Sequence, residues 1–214
     1  MADPATVGAK EKIVKTDPNR RLVVGIGGAS GAIYGVRFLR AAVRYFDEIY
    51  LILSGNAPDV LRQEMDICLS ETPTVKELLG FDAPQIRFCQ ATDYFTPPAS
   101  GSFRHAGMVI IPCSMGTVGR IASGISNDLT TRAADVCLKE RRKLVLVVRE
   151  TPLNLIHLRN LTALTEAGAT ILPASPGFYD RPQTVEQVVD FIVARTLQTL
   201  GVEQDLAGEW RHEP

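Results

Sequence analysis

Five clusters of small, hydroxyl-bearing or charged residues interrupt the apolar runs of this chain: Gly27-Gly28-Ala29-Ser30, Ser54, Cys113-Ser114-Met115-Gly116-Thr117, Arg149-Glu150, and the stretch from Pro173 to Arg181. Glycines let the backbone approach a ligand closely, and hydroxyls with N–H groups at a helix start favour an anion. The chemistry they suit is phosphate binding. The dinucleotide pattern G-x-G-x-x-G fits at Gly25 and Gly27 but meets Ser30 at its last position, and the P-loop fails because no Lys-Ser/Thr pair follows Gly31. A dinucleotide domain would end its second strand on an acidic residue that clamps a ribose, where this chain has Ser54. One phosphate plus a polyol, as in FMN, fits two small-residue cradles without that clamp.

Cations form a second set. Arg132 and Lys139 are seven residues apart, so a continuous helix places them on one face. An ordinary solvated face accounts for that pair equally well. Arg149 is more specific, because it stands beside Glu150 at a strand end. Tyr179 and Arg181 lie in a loop, Arg195 lies mid-helix, and Trp210, the only tryptophan, lies in a short tail. Cys68, Cys89, Cys113 and Cys137 are more than twenty residues apart, with no C-x-x-C pair and no histidine cluster near them. That spacing predicts free thiols and no metal site.

The elements that must position these groups follow from periodicity. Apolar runs at 21–26, 48–53, 85–89, 107–113, 143–149 and 169–172 predict strands. Helical patterns fill 31–46, 56–79, 116–140 with an interruption near Gly124–Asn127, 157–168, and 184–200, the last opening with a capping-box-like T-V-E-Q. This alternation predicts an α/β fold: a single doubly wound, mostly parallel sheet in a Rossmann-like or flavodoxin-like three-layer sandwich. In such sheets ligands bind at the carboxyl ends of the strands, where all five clusters fall.

Residues 1–20 read as a flexible polar leader and 21–214 as one domain with a C-terminal tail. Net charge is −1 with no basic face, which argues against nucleic acid and for a small-molecule partner. The chain contains no apolar run of membrane-spanning length and no signal-peptide pattern. A cytoplasmic protein without membrane attachment is expected.

The segments GGASGAIYG (27–35), PPASGS (97–102), IIPCSMGT (110–117), SNDLTTRAADVCLKERRKLVLVVRETP (126–152), ILPASPGFYDRPQT (171–184) and DFIVARTLQTLG (190–201) together resemble the UbiX-like flavin prenyltransferases, in order and spacing, from about Arg21 to Trp210. The resemblance implies an enzyme that joins a dimethylallyl group, delivered as its monophosphate, to N5 and C6 of reduced FMN without a metal. The product, prenylated FMN, is the cofactor of UbiD-type decarboxylases. Gly28, Ala29, Ser30, Ser54, Ser114, Met115, Gly116, Thr117 and Arg149 match the family's FMN-binding positions. Lys139, Arg149, Tyr179 and Arg195 match the group holding the allylic phosphate, and Trp210 an aromatic residue near the prenyl group. Ser30, Glu64 and Glu150 match its catalytic polar residues, with Glu150, through Ser30, the candidate for moving protons and Arg149 beside it keeping it ionised. Gly119-Arg120 and Asn56–Pro58 carry no assigned role. Family members place their sites where subunits meet, which implies a homo-oligomer, a dodecamer.

Two other functions compete. Flavin-dependent cysteine decarboxylases share the predicted fold but carry PASANT, a P-x-M-N pattern and a histidine base; here PPASGS ends differently, RETPLNLIHL replaces the second motif, and no histidine precedes PPASGS. A non-catalytic FMN carrier would need no cations beyond the flavin's own site, so Lys139, Tyr179 and Arg195 argue against it.

Overall fold

The structure, a computed structural model, describes residues 17–206. Six strands form one sheet: β1 (Arg21–Ile26), β2 (Glu48–Leu53), β3 (Ile86–Cys89), β4 (Gly107–Cys113), β5 (Lys143–Val148) and β6 (Thr170–Pro173). The strands β1, β2 and β4 are continuous apolar runs, the mark of strands covered on both faces; every residue of β4 is buried, and only end residues of β1 and β2 are partly exposed. All pairings are parallel, in the order β3-β2-β1-β4-β5-β6. Of the two common doubly wound orders this is the Rossmann one, and strand order reverses between β1 and β4.

Seven helices cover the sheet: α1 (Ala32–Ala42), α2 (Ala57–Met65), α3 (Val75–Leu79), α4 (Met115–Ala122), α5 (Leu129–Lys139), α6 (Leu155–Glu166) and α7 (Val185–Leu200). Alternate strand residues face opposite layers. Leu22, Val24, Ile26, Leu51 and Val109 pack under α1, α2, α3 and α7, while Val23, Ile52, Met108, Ile110 and Leu146 pack under α4, α5 and α6. Burying one such side chain contributes about 1.5–3 kcal/mol. None of the described helices is long and apolar enough to cross a membrane.

The helical pattern over 56–79 divides in two. Asp66 ends α2 in the left-handed region at φ 55°, and Thr74 starts α3 with a capping box to Glu77. Ser114, Asp128, Asn154 and Thr184 likewise cap α4, α5, α6 and α7 with their own side chains. At α7 the box is not closed: Gln187 accepts the N–H of Gln183, one residue before the cap, at 2.6 Å. The helices α1 and α2 have no such cap of their own; the residues at those positions are Gly31, at φ 103°, and Asn56. Helix α6 leaves Leu155, Ile156 and Leu158 largely exposed and buries only Leu164.

Candidate functional site

The turn after β1 is fixed by close backbone contact. The Gly27 N–H donates to the Pro112 carbonyl at 3.0 Å, and a Cβ on Gly27 would sit 2.6 Å from that oxygen. Only glycine fits. Pro112 has no N–H for the ladder and stands where the β4–β5 register shifts, so the exits of β1 and β4 are pinned together at the switch point. Arg149, just past β5, ties in the third exit: its N–H reaches the Cys113 carbonyl at 3.3 Å and its Nε the Ser30 carbonyl at 3.0 Å.

The N–H groups of the α1 cap residue, Gly31, and of the first helical residue, Ala32, are already taken. Glu64, from α2, accepts the Gly31 N–H at 2.8 Å and the Ala32 N–H at 2.9 Å through one carboxylate oxygen. A carboxylate thus caps α1 from 33 residues away. Burial alone would push the Glu64 carboxyl up, but the Ser30 hydroxyl, these two N–H groups and the nearby Arg149 cation outweigh it and hold it below its ordinary value. The glycine turn, read from sequence as a phosphate cradle at a helix start, does not offer those N–H groups to a phosphate. The pairing is long-range and leaves no local signal.

The open anion seat lies next to it. Gly28, Ser54, Gly55, Asn56, Ser114, Thr117, Arg120 and Asp128 line a polar cavity of about 320 Å³, the Asp128 carboxylate being paired with Arg120. The Ser54 Oγ is buried without a hydrogen-bond partner among the described residues, a cost of about 1–3 kcal/mol that a bound acceptor or donor would remove. A Cβ on Gly28 would come within 2.7 Å of the Asn56 Cβ, so a larger residue would encroach on the cavity wall. The Ser114 Oγ accepts the Thr117 N–H at 3.3 Å and meets its hydroxyl at 3.1 Å. Gly116 is exposed above α4, with nothing but the Ser114 Oγ near it, whereas the Met115 side chain is in the core, leaving only its backbone for a ligand. Ala29 is also buried. A second cavity of about 460 Å³, lined by Gly28, Ser30, Val60, Gln63 and Glu64 among others, adjoins the first at Gly28. These residues fit a phosphorylated flavin.

Arg120 and Asn56, given no role from sequence, both line the polar cavity. The signal was present: Ser114, Thr117 and Arg120 recur at a spacing of three, which puts them along one side of α4.

Glu150 is exposed, and its carboxylate accepts the Thr151 N–H at 3.2 Å; among the described residues it forms no ion pair with Arg149. The carboxylate that meets Ser30 is Glu64. Arg132 donates to the Ala99 carbonyl at 3.1 Å and to Asp135 at 2.9 Å, bonds that fasten a loop to α5. Lys139 pairs with Glu140 at 2.5 Å. It closes α5 just before β5 begins, while Arg149 follows the end of that six-residue strand, so about 20 Å separates them within one chain. Tyr179 is three-quarters exposed in the loop before α7, and Arg195 is exposed on α7 and bonds Gln198 at 2.7 Å. One chain therefore gathers Ser30, Glu64 and Arg149 but leaves Lys139 at the opposite end of β5 from Arg149. Trp210 and residues 1–16 of the expected leader lie outside the described residues.

Thiolate formation is disfavoured at the three buried cysteines, while Cys68 is exposed. Burial pushes the Cys113 and Cys137 thiols up to about 12, and Cys89 to about 11. Among the described residues no three His, Cys, Asp or Glu side chains come together as a metal site.

Residues 11–197 match the family model described as Flavoprotein. The chain is 48% identical over 195 residues to the flavin prenyltransferase UbiX of Pseudomonas aeruginosa, covering 89% of this chain and 93% of that one. It is 44% identical over 190 residues to the UbiX of Thermoplasma acidophilum, covering 89% and 99%. Among solved structures, AnUbiX in complex with FMN and dimethylallyl pyrophosphate aligns with a TM-score of 0.81 at 39% identity, over 92% of this chain and all of that one. A dodecameric FMN-dependent UbiX-like decarboxylase of Escherichia coli O157:H7 aligns at 0.77 and 41%, over 86% and 96%. The peptidyl-cysteine decarboxylase EpiD, at 17% identity and a TM-score of 0.52, shares the fold alone.

Proposed function

The chain belongs to the UbiX family of flavin prenyltransferases, and from that premise we propose that it transfers a dimethylallyl group from dimethylallyl phosphate to reduced FMN, releasing phosphate and giving prenylated FMN. The observation that carries this reading is the carboxyl edge of the sheet: a polar cavity with an unpartnered Ser54 hydroxyl, adjoining a second cavity that holds the Ser30–Glu64 pair. When bound, reduced FMN would supply nucleophilic N5 and C6: the allylic C–O bond breaks, N5 and C6 each bond a prenyl carbon and give up a proton, and the former alkene takes one proton up.

The chain's residues act on either side of that chemistry. Ser54, Ser114, Thr117 and the backbone at Gly28, Ala29, Met115 and Gly116 hold the flavin, with Arg149 bracing the Ser30 turn. Glu64, ionised and hydrogen-bonded to Ser30, is placed to take a proton through that hydroxyl. This gives Ser30 a different relay partner from the Glu150 the resemblance suggested; Glu150 remains a polar group on the same edge. Lys139, Arg149, Tyr179 and Arg195 oppose the charge that develops on the departing phosphate, each cation contributing roughly 1–4 kcal/mol at about 4 Å.

Lys139, at the far end of β5, joins that set only if copies of the chain assemble. The exposed Leu155, Ile156 and Leu158 of α6 offer an apolar surface for it, and the dodecameric relative gives a homo-oligomer precedent. The same reading puts the enzyme in the cytoplasm and passes its product to a UbiD-type decarboxylase.

The test is mass spectrometry of the flavin released after anaerobic incubation with reduced FMN and dimethylallyl phosphate, then the diphosphate. Flavin heavier by one C5H8 unit is expected. Flavin that binds yet returns unmodified with both donors would overturn the transferase reading in favour of a carrier or a cysteine decarboxylase.

A further inference from the structure

The polar cavity holds one cation, Arg120, that neither the motifs nor the family reading uses. Its guanidinium is held from three sides. Nη1 donates to Asn127 Oδ1 at 2.8 Å and to Asp128 Oδ2 at 2.5 Å, and Nη2 donates to Thr117 Oγ1 at 3.3 Å. A guanidinium has five N–H donors, so Nε–H and one Nη2 hydrogen make no hydrogen bond among the described residues. Asp128 is itself immobilised: it caps α5, its Oδ1 accepting the N–H of Thr131 at 2.8 Å and its hydroxyl at 2.8 Å. The Asp128 oxygens are thus spent on α5 and on Arg120. The guanidinium is pre-ordered at a cavity that is also lined by Ser54, whose buried hydroxyl has no partner among the described residues, and by Asp128.

A fixed planar cation with unspent donors and an unpartnered hydroxyl, both lining one cavity of about 320 Å³, suit a tetrahedral oxyanion on an ester. Resting on the family reading, we infer that Arg120 binds the 5′-phosphate of the flavin, with Asp128 its positioning residue. The cavity then distinguishes FMN from riboflavin, and Gly28, shared by both cavities, marks where the ribityl chain passes toward Ser30 and Glu64.

The test is titration of the purified protein with FMN and with riboflavin, read by quenching of flavin fluorescence. The wild-type chain should prefer FMN, with an affinity that falls as salt rises. Arg120→Met should weaken FMN binding roughly ten- to hundred-fold, leave riboflavin binding within about two-fold, and flatten the salt dependence. Arg120→Lys keeps a cation but not the fork to Asp128, Asn127 and Thr117, and should fall between the two. Thermal unfolding of the unliganded variants separates a binding defect from a folding one. An Arg120→Met protein that folds and keeps the wild-type ratio of FMN to riboflavin affinity overturns the inference while leaving the family reading intact. Wild-type protein that binds neither flavin overturns both.

Discussion

The two ends of one sheet use polar and aromatic residues in opposite ways. At the amino end, Arg21 lies over the Phe103 ring at 5.5 Å, Tyr50 meets Phe103 edge-on at 4.9 Å, and His105 stacks on it at 5.7 Å. Arg142 donates to the carbonyls of Phe103 and Gly101, and the His105 Nδ1 bonds the Gly107 carbonyl at 2.9 Å. These groups contact one another and tie the loop before β4 to the sheet. At the carboxyl end the Ser54 hydroxyl has no partner among the described residues, α2 starts without a side-chain cap, and Arg120 lines a cavity. Clustered charge and aromaticity do not by themselves mark a site; an unpartnered hydroxyl that also lines a cavity is the better signal, since the buried Gln85 Oε1 just before β3 lacks a partner among the described residues too.

That contrast is sharpest at Glu64. Glu64→Gln should lower the rate of prenyl transfer roughly 10²–10⁴-fold, the usual range for a lost proton-transfer group, while FMN still binds. Single-turnover kinetics beside flavin titration checks this, and parallel loss of both would make Glu64 a scaffold residue like those at the amino end. The amino end should instead respond through stability. Burial, the largest influence, pulls the His105 pKa down to about 4 from 6.5. The unfolded chain therefore takes up the proton first: stability is full above about 6.5 and falls as pH drops from there through 4, by up to about 3 kcal/mol. Urea unfolding at a series of pH values should show that slope, and His105→Phe should reduce it.

Lys139 is the residue able to break the division, since it stands at the amino end yet matches the family's phosphate-binding lysine. Lys139→Ala should lower kcat/KM for the prenyl donor about 30-fold, equivalent to roughly 2 kcal/mol, with the melting temperature little changed. Mixing it with Glu64→Gln protein under conditions that exchange subunits should restore part of the activity. Without recovery, the site does not draw on two chains. The smallest effect belongs to Ser54→Ala, which should cost about ten-fold in FMN affinity yet leave the unliganded protein as stable or slightly more so, because a buried unpaired hydroxyl is removed.

Much of this frame is legible in the sequence. The bounds of β1, β2 and β4 follow from apolar runs ended by glycine or charge, and the break between α4 and α5 from Gly124 to Asn127. The α2–α3 break was readable too, in Pro73 and the Thr74–Glu77 capping box, but a continuous helical period outweighed it. What escaped is long-range or directional. No local pattern ties Glu64 to the start of α1. The placing of Lys139 follows only from knowing that α5 returns to the amino end before β5 begins.

The carboxylate resting on α1 also bears on the company the protein keeps in a cell. Inorganic phosphate, citrate and nucleotides abound there, and a bare helix start would be in constant exchange with them. Because Glu64 is tethered to the same chain, a free anion must displace an intramolecular partner to reach the N–H groups of Gly31 and Ala32. The start of α1 is thereby guarded, while the backbone at Gly28 and Ala29 stays outside that pairing.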